Sequence, residues 1–332
     1  MFNKKLKIII TDCDHPSIDI EKKILSKIDS EPILESCRTE NDVIAVAADA
    51  DAIINQYAPF TRKVIKALQR CKVIARYGVG VDNIDIQAAI DHNIIIANVP
   101  DYCVDEVSTH ALSLILACAR GLVLLDRKIR EEKKWDFTIA KPLFRTQNQT
   151  LGLFGLGRIG KILAQKASGF GFKIIAHDPY TTETNLKIRL VTFSQLLSDS
   201  DFISIHAPLT IETKHSFGEK ELRLMKKSAY LINTSRGPIV DEKALYKALK
   251  NKWIAGAALD VMEKEPPDWD DSLLTLDNLI ITPHISFYSE ESYIELKTKA
   301  AQAVLTVLTG KTPRSVVNPQ VLKNKDLNGG EK

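Results

Sequence analysis

The run Gly155-Leu156-Gly157-Arg158-Ile159-Gly160 constrains this chain more than any other feature. It follows an apolar stretch at Leu151–Phe154 and opens a helical pattern, the context in which a Gly-x-Gly-x-x-Gly turn carries meaning. The first glycine permits a tight strand-to-helix turn, the second lets backbone approach a pyrophosphate, and the third lets helix and strand pack closely. The helix N-terminus then offers unpaired N–H groups and a positive dipole end to the anion. Gly155, Gly157, Arg158, Ile159 and Gly160 are therefore candidate cofactor contacts, Arg158 adding its guanidinium. The next strand, Lys173–Ala176, runs into His177-Asp178-Pro179. Asp178 lies 23 residues after Gly155, near the spacing of about 20 at which a carboxylate meets the ribose hydroxyls. A carboxylate there repels a 2′-phosphate and favours NAD over NADP. His177 reads as a packing or surface residue.

Around this turn, short β-branched runs alternate with helical spacing. Lys7–Ile10, Ala52–Ile54, Val73–Ala75 and Ile94–Ile96 read as strands, with helices over 18–28, 62–69 and 84–91 between them. A long helix is expected over Val104–Leu125, then a polar segment to Thr150. Beyond the glycine turn, strands are expected at 202–205, 229–232, 255–259 and 279–281, then a long amphipathic helix from Glu290 to Leu308 and a polar tail, Asn328–Lys332. Such alternation predicts α/β architecture with parallel sheets. At 332 residues the length suggests about two domains, and the turn at residue 155 makes the nucleotide domain the second in sequence.

Composition narrows the setting. With 45 basic against 42 acidic residues, the net charge of +3 carries no nucleic-acid footprint. Five cysteines, none in a Cys-x-x-Cys pair, fit a reduced cytoplasmic protein better than a disulfide framework. The apolar run Ile8–Ile10 is too short for a secretory signal, and Ala111–Leu125 contains Arg120 and is too short to span a bilayer, so no membrane association is expected. No metal site is expected.

Three segments that follow predicted strands carry ionisable residues: Asn233–Gly237 with Arg236, Leu259–Pro266 with Asp260 and Glu265, and Thr282–Ser286 with His284. In a doubly wound sheet, ligands bind beyond the carboxyl ends of strands, so all three converge on the cofactor. Together they suit one reaction. Histidine both takes a hydroxyl proton and gives it back to a carbonyl. A carboxylate beside it orients the ring, and an arginine binds a substrate carboxylate and polarises its carbonyl.

At this point the sequence resembles the NAD-dependent D-isomer-specific 2-hydroxyacid dehydrogenases. The matching stretches are Tyr77–Asp85, Asn98-Val99-Pro100, the turn at 155–160, His206-Ala207-Pro208-Leu209-Thr210, Asn233–Val240, Gly256–Pro266 and Thr282–His284, in the family's order. The resemblance implies two doubly wound parallel-sheet domains, a Rossmann NAD-binding domain over 102–286 inserted into a flavodoxin-like substrate domain built from 1–101 and 287–332. Domain closure would exclude water from the hydride transfer. It implies His284 as acid/base paired to Glu265, Arg236 on the substrate carboxylate and keto oxygen, and backbone N–H groups of Val79 and Gly80 on the carboxylate. It also implies that Asp260 meets the nicotinamide amide and that His206, Ala207, Pro208, Thr234 and Ser235 line the cofactor pocket. A homodimer through the helix from Val104 follows in the same way.

Within the family, phosphoglycerate dehydrogenases generally carry arginines in the loop after the second strand. The matching loop here, Asn55-Gln56-Tyr57-Ala58-Pro59, has none, which argues against a phosphorylated substrate. Formate dehydrogenases have glutamine where Glu265 stands. The segment 283–290 is similar to the C-terminal-binding-protein branch, whose NAD-sensing corepressors carry tryptophan where Phe287 stands. The expected substrate is a 2-keto or D-2-hydroxy acid. D-3-phosphoglycerate dehydrogenase, hydroxypyruvate or glyoxylate reductase and an NAD-sensing binding protein are the alternatives. Tyr57 and Phe287, with Tyr77 and Tyr102, are candidates to face the substrate's far end, core packing being the equal alternative for each.

Overall fold

A computed structural model describes residues 5–14, 17–184 and 186–323. The polar tail at 328–332 lies outside them, as do the outermost ends of the expected first domain. The chain divides into two compact units, Met1–Tyr102 with Ser289–Lys332, and Cys103–Tyr288.

The first unit holds strands β1 (Ile8–Ile10), β2 (Ile33–Leu34), β3 (Ala52–Asn55), β4 (Val73–Arg76) and β5 (Ile95–Ala97), all parallel, in the order β2-β1-β3-β4-β5. That is the flavodoxin-like order. Burial of β1, β3 and β5 along their full length explains why they read as unbroken apolar runs. β2 escapes sequence reading because it is two exposed residues at the sheet edge. The helix Glu40–Ala47 is likewise not apparent from apolar spacing, although Thr39 and Asp42 form a capping box at its start.

The last long helix, Glu290–Leu308, also belongs to this unit. There Glu21, fully buried, accepts the Tyr77 hydroxyl at 2.5 Å and lies 3.5 Å from the buried Lys297 ammonium. Tyr77 and Tyr102 are 2% and 7% exposed, which favours core packing over a place facing substrate. Asn318 closes the sheet edge, its side chain accepting from Ile96 N–H and donating to the Ile94 carbonyl, each at 2.9 Å.

The second unit holds β6 (Thr150–Phe154), β7 (Lys173–His177), β8 (Arg189–Leu190), β9 (Phe202–Ile205), β10 (Tyr230–Asn233), β11 (Gly256–Leu259) and β12 (Leu279–Ile281). They form one parallel sheet ordered β12-β11-β10-β9-β6-β7-β8. The order reverses between β6 and β9, where a Rossmann sheet opens its crevice. His177 is a packing residue, its ring stacked on Phe154 and Phe193.

The helix expected over 104–125 is two helices, Val104–Arg120 and Leu122–Glu132, bent by 61°. Gly121 sits between them at φ +61°, a left-handed conformation that ends the first helix, and periodicity alone does not reveal it. Among the described residues, no single helix is long and apolar enough to cross a membrane. All five cysteines are free thiols.

Candidate active site

The glycine turn has the geometry that its residue types dictate. Gly155 lies at φ +97°, and a Cβ there would stand 2.6 Å from the Ala207 amide nitrogen. On Gly160 a Cβ would stand 2.5 Å from the Gly155 carbonyl oxygen, so the helix Arg158–Ser168 abuts the strand end. Gly157 differs: nothing lies within 4 Å of the Cβ it lacks. As the N-cap of that helix it supplies no side-chain cap, so the helix start presents the N–H groups of Ile159 and Gly160 to an anion. Asp178, at the end of β7, accepts Leu156 N–H at 2.7 Å and Tyr180 N–H at 2.8 Å. Each carboxylate oxygen keeps acceptor capacity for a ribose hydroxyl.

Across the crevice, the His206–Pro208 segment follows β9. His206 Nε2 lies 2.8 Å from Ser204 Oγ, and burial pushes the imidazole down to about 4, so it is neutral at pH 7. Ser235 Oγ donates to the Ala207 carbonyl at 2.5 Å. Thr234 Oγ1 is buried with no hydrogen-bond partner among the described residues. Open space over Gly157, uncapped amides, a fixed carboxylate and an orphaned buried hydroxyl together fit a dinucleotide.

The ionisable residues come from the ends of β10, β11 and β12. Glu265 Oε2 lies 2.6 Å from His284 Nδ1, and Oε1 accepts Met262 N–H at 2.9 Å. Burial alone would raise the Glu265 carboxyl pKa. The hydrogen bond and charge of His284, the Met262 amide and the Arg236 charge outweigh it and hold the group below the usual carboxylate range. Arg236 is brought alongside by its neighbour: a Cβ on Gly237 would stand 2.0 Å from the Met262 carbonyl, so only glycine lets this turn press against the one carrying Glu265. Asn233 locks the same turn, donating to the Arg236 carbonyl at 2.8 Å and accepting Ser235 N–H at 3.0 Å. His284 itself is left-handed, φ +51°, a conformation costing a bulky residue on the order of 1 kcal/mol that surrounding contacts must hold. Phe287 meets the His284 ring edge-on, 6.3 Å between centroids.

Asp260 also has a structural task. Its side chain has no exposed surface, and its oxygens accept from Thr282 Oγ1 (2.6 Å), Ile285 N–H (3.0 Å) and Ser286 N–H (2.9 Å). The carboxylate is thus turned to the loop that carries His284.

The remaining candidates lie on the first unit. Val79 is exposed and Gly80 half-buried, and Asn98 Nδ2 holds the Val79 carbonyl at 2.7 Å. Tyr57 is exposed on a loop pinned by the buried Asp12, whose carboxylate accepts the N–H groups of Gln56 (3.2 Å), Tyr57 (2.5 Å) and Ala58 (3.2 Å). Sequence reading missed Asp12, Gly237 and His110. Of these, only His110 left a signal, a polar residue beside the apolar run that begins at Ala111.

Comparison with known proteins adds the following. The profile for the D-isomer specific 2-hydroxyacid dehydrogenase, NAD binding domain, matches residues 112–286. A glyoxylate reductase of Korarchaeum cryptofilum is 38% identical over 317 residues, covering 92% of this chain and 95% of that enzyme. A D-3-phosphoglycerate dehydrogenase of Methanocaldococcus jannaschii is 38% identical over 326 residues, covering 96% of this chain but 61% of that enzyme. The crystal structure of D-lactate dehydrogenase from Aquifex aeolicus, complexed with NAD and lactic acid, superposes with a TM-score of 0.83 at 26% identity, covering 98% of this chain and 100% of that one.

Proposed function

The chain belongs to the D-isomer specific 2-hydroxyacid dehydrogenase family, and from that premise we propose that it reduces a small, unphosphorylated 2-keto acid of the glyoxylate or hydroxypyruvate class. It is an NAD-dependent oxidoreductase that interconverts a 2-keto acid and a D-2-hydroxy acid. The observation that carries the residue assignment is the 2.6 Å contact between Glu265 and His284, with Arg236 on the adjoining turn. NADH, when bound, is the source of the hydride. With Nδ1 given to Glu265, His284 uses Nε2 to donate the proton to the carbonyl oxygen. Arg236 binds the carboxylate and keto oxygen as a planar fork, and N–H groups of Val79 and Gly80 take the same carboxylate. Gly155 to Gly160 hold the pyrophosphate. Asp178 holds the ribose, and His206, Ala207, Pro208, Thr234 and Ser235 line the pocket.

Support for an unphosphorylated substrate is the absence of any cation in the Asn55–Pro59 loop. Tyr57 and Phe287 would then face its far end. The test is NADH oxidation with glyoxylate, hydroxypyruvate, phosphohydroxypyruvate, pyruvate and larger keto acids. Glyoxylate or hydroxypyruvate should give the highest kcat/KM, and NADPH should serve poorly because Asp178 repels its 2′-phosphate. A preference for phosphohydroxypyruvate or for NADPH sinks the corresponding assignment.

The chain acts as a homodimer in the cytoplasm under this reading. Free thiols at all five cysteines suit a reducing compartment. Leu122 (58% exposed), Val123 (45%), Trp135 (90%) and Phe137 (74%) are large apolar side chains left exposed in the segment that follows the Val104–Arg120 helix, and they support an interface there. Sedimentation should report a dimer that Trp135→Asp with Phe137→Asp converts to monomer, and a monomeric wild type refutes the assignment.

A further inference from the structure

The loop carrying His284 is held from behind by a directed chain of hydrogen bonds within the second unit. It begins at His110, on the helix Val104–Arg120. His110 Nε2 lies 3.0 Å from Thr282 Oγ1 and 3.6 Å from Asp260 Oδ1. Thr282 has one hydroxyl proton, and it goes to Asp260 Oδ1 at 2.6 Å. Thr282 must therefore accept from His110, which places a proton on Nε2. Asp260, wholly buried, also accepts the Ile285 N–H at Oδ1 and the Ser286 N–H at Oδ2. His284 N–H also donates to the Asp260 carbonyl at 2.8 Å and the Thr282 carbonyl at 3.0 Å. Residues 282, 285 and 286 are all fastened to one carboxylate, and His284 sits between them in its left-handed conformation.

We propose that His110 is a positioning residue for His284, acting through Thr282 and Asp260 to fix the turn that presents the acid/base imidazole to Glu265. This rests on the assignment of His284 as the acid/base group. His110 touches neither His284 nor Glu265 among the hydrogen bonds and ion pairs described, so its influence runs through the orientation of the Asp260 carboxylate. Without a donor at Nε2, Thr282 loses the partner that orients its hydroxyl. The carboxylate is then free to rotate away from the Ile285 and Ser286 amides. A small displacement of a catalytic group is enough to slow chemistry strongly.

The test compares His110→Phe, Thr282→Val, their double variant and His110→Gln, whose amide nitrogen restores a donor near the Nε2 position. With glyoxylate and hydroxypyruvate, His110→Phe and Thr282→Val should each lower kcat by about tenfold, with KM within about twofold. NADH affinity by fluorescence should stay within about twofold. The double variant should be no worse than either single one, because both break the same chain. His110→Gln should recover kcat to within about threefold. Independently of turnover, NMR titration of the His284 imidazole should show a shifted midpoint in His110→Phe and Thr282→Val and the wild-type midpoint in His110→Gln. Glu265 holds the ring at 2.6 Å and the Asp260 carbonyl accepts the His284 backbone N–H, and of these two residues only Asp260 is reached from His110.

Wild-type kcat and an unmoved midpoint in His110→Phe overturn the proposal, as does additive loss in the double variant. If His110→Phe fails to fold, Thr282→Val and His110→Gln decide by the same criteria. His284→Ala in the same assay separates the two levels. If it retains turnover, the acid/base assignment fails. If it is inactive while His110→Phe matches wild type, only the positioning role fails.

Discussion

Replacing His284 with alanine should lower kcat for keto-acid reduction by about 10³-fold while NADH binding changes by less than about twofold. The imidazole is the one side chain of the second unit's Arg236–Glu265–His284 cluster suited both to give and to take a proton, and its Nδ1 is committed to Glu265 at 2.6 Å. Reduction consumes a proton, so it requires the protonated ring. In the wild type, kcat/KM for reduction should fall as pH rises, and that for oxidation should rise. Glu265 does not set this limb, since its carboxyl is held below the usual carboxylate range by His284, the Met262 amide and Arg236. Steady-state NADH oxidation across pH 5–9 reads both effects, and the variant should lose the pH dependence with the rate. Turnover within about tenfold of wild type, or an unchanged pH profile, would remove His284 from the proton-transfer role.

Arg236→Lys should lower kcat/KM by about 10²-fold although the charge is kept, a loss of about 3 kcal/mol. A guanidinium contacts a carboxylate and the adjacent carbonyl oxygen at once, whereas an ammonium offers a point charge on a flexible stem. The site is built for the fork: Asn233 fixes the Arg236 backbone, and Gly237 presses its turn against Met262. A lysine there has neither the reach nor the shape to serve both oxygens. Both KM and kcat should worsen, because binding and carbonyl polarisation are lost together. A lysine variant within threefold of wild type in kcat/KM would show that substrate carboxylate recognition lies elsewhere.

Much of this was legible in the sequence, for identifiable reasons. Fully buried parallel strands such as Ile8–Ile10 and Ala52–Asn55 leave unbroken apolar runs, and Gly155, Gly157 and Gly160 leave a fixed spacing before a helix. Arg236, Glu265 and His284 follow strand ends, so their convergence was predictable from topology. Two-residue edge strands such as Ile33–Leu34 carry no periodicity. Gly121 looked like a tolerated glycine within a helix because apolar spacing continues on both sides of it. Tyr77 and Tyr102 looked like substrate contacts because aromatic character does not tell which side of a loop is inside. The support of His284 was invisible for a related cause: His110, Asp260 and Thr282 are far apart in sequence and meet only once the helix lies along the sheet.

The split of the first unit has a consequence for how the chain is made. The Ser17 carbonyl and the Glu21 carboxylate receive their partner from Lys297, 280 residues beyond Ser17. During synthesis, residues 103–288 leave the ribosome as a complete unit, whereas the earlier segment must wait, its acidic group without a counter-ion, until the last long helix emerges. The segment translated first thus belongs to the unit that is completed last. In that interval its exposed apolar strands are the part of the nascent chain most in need of protection.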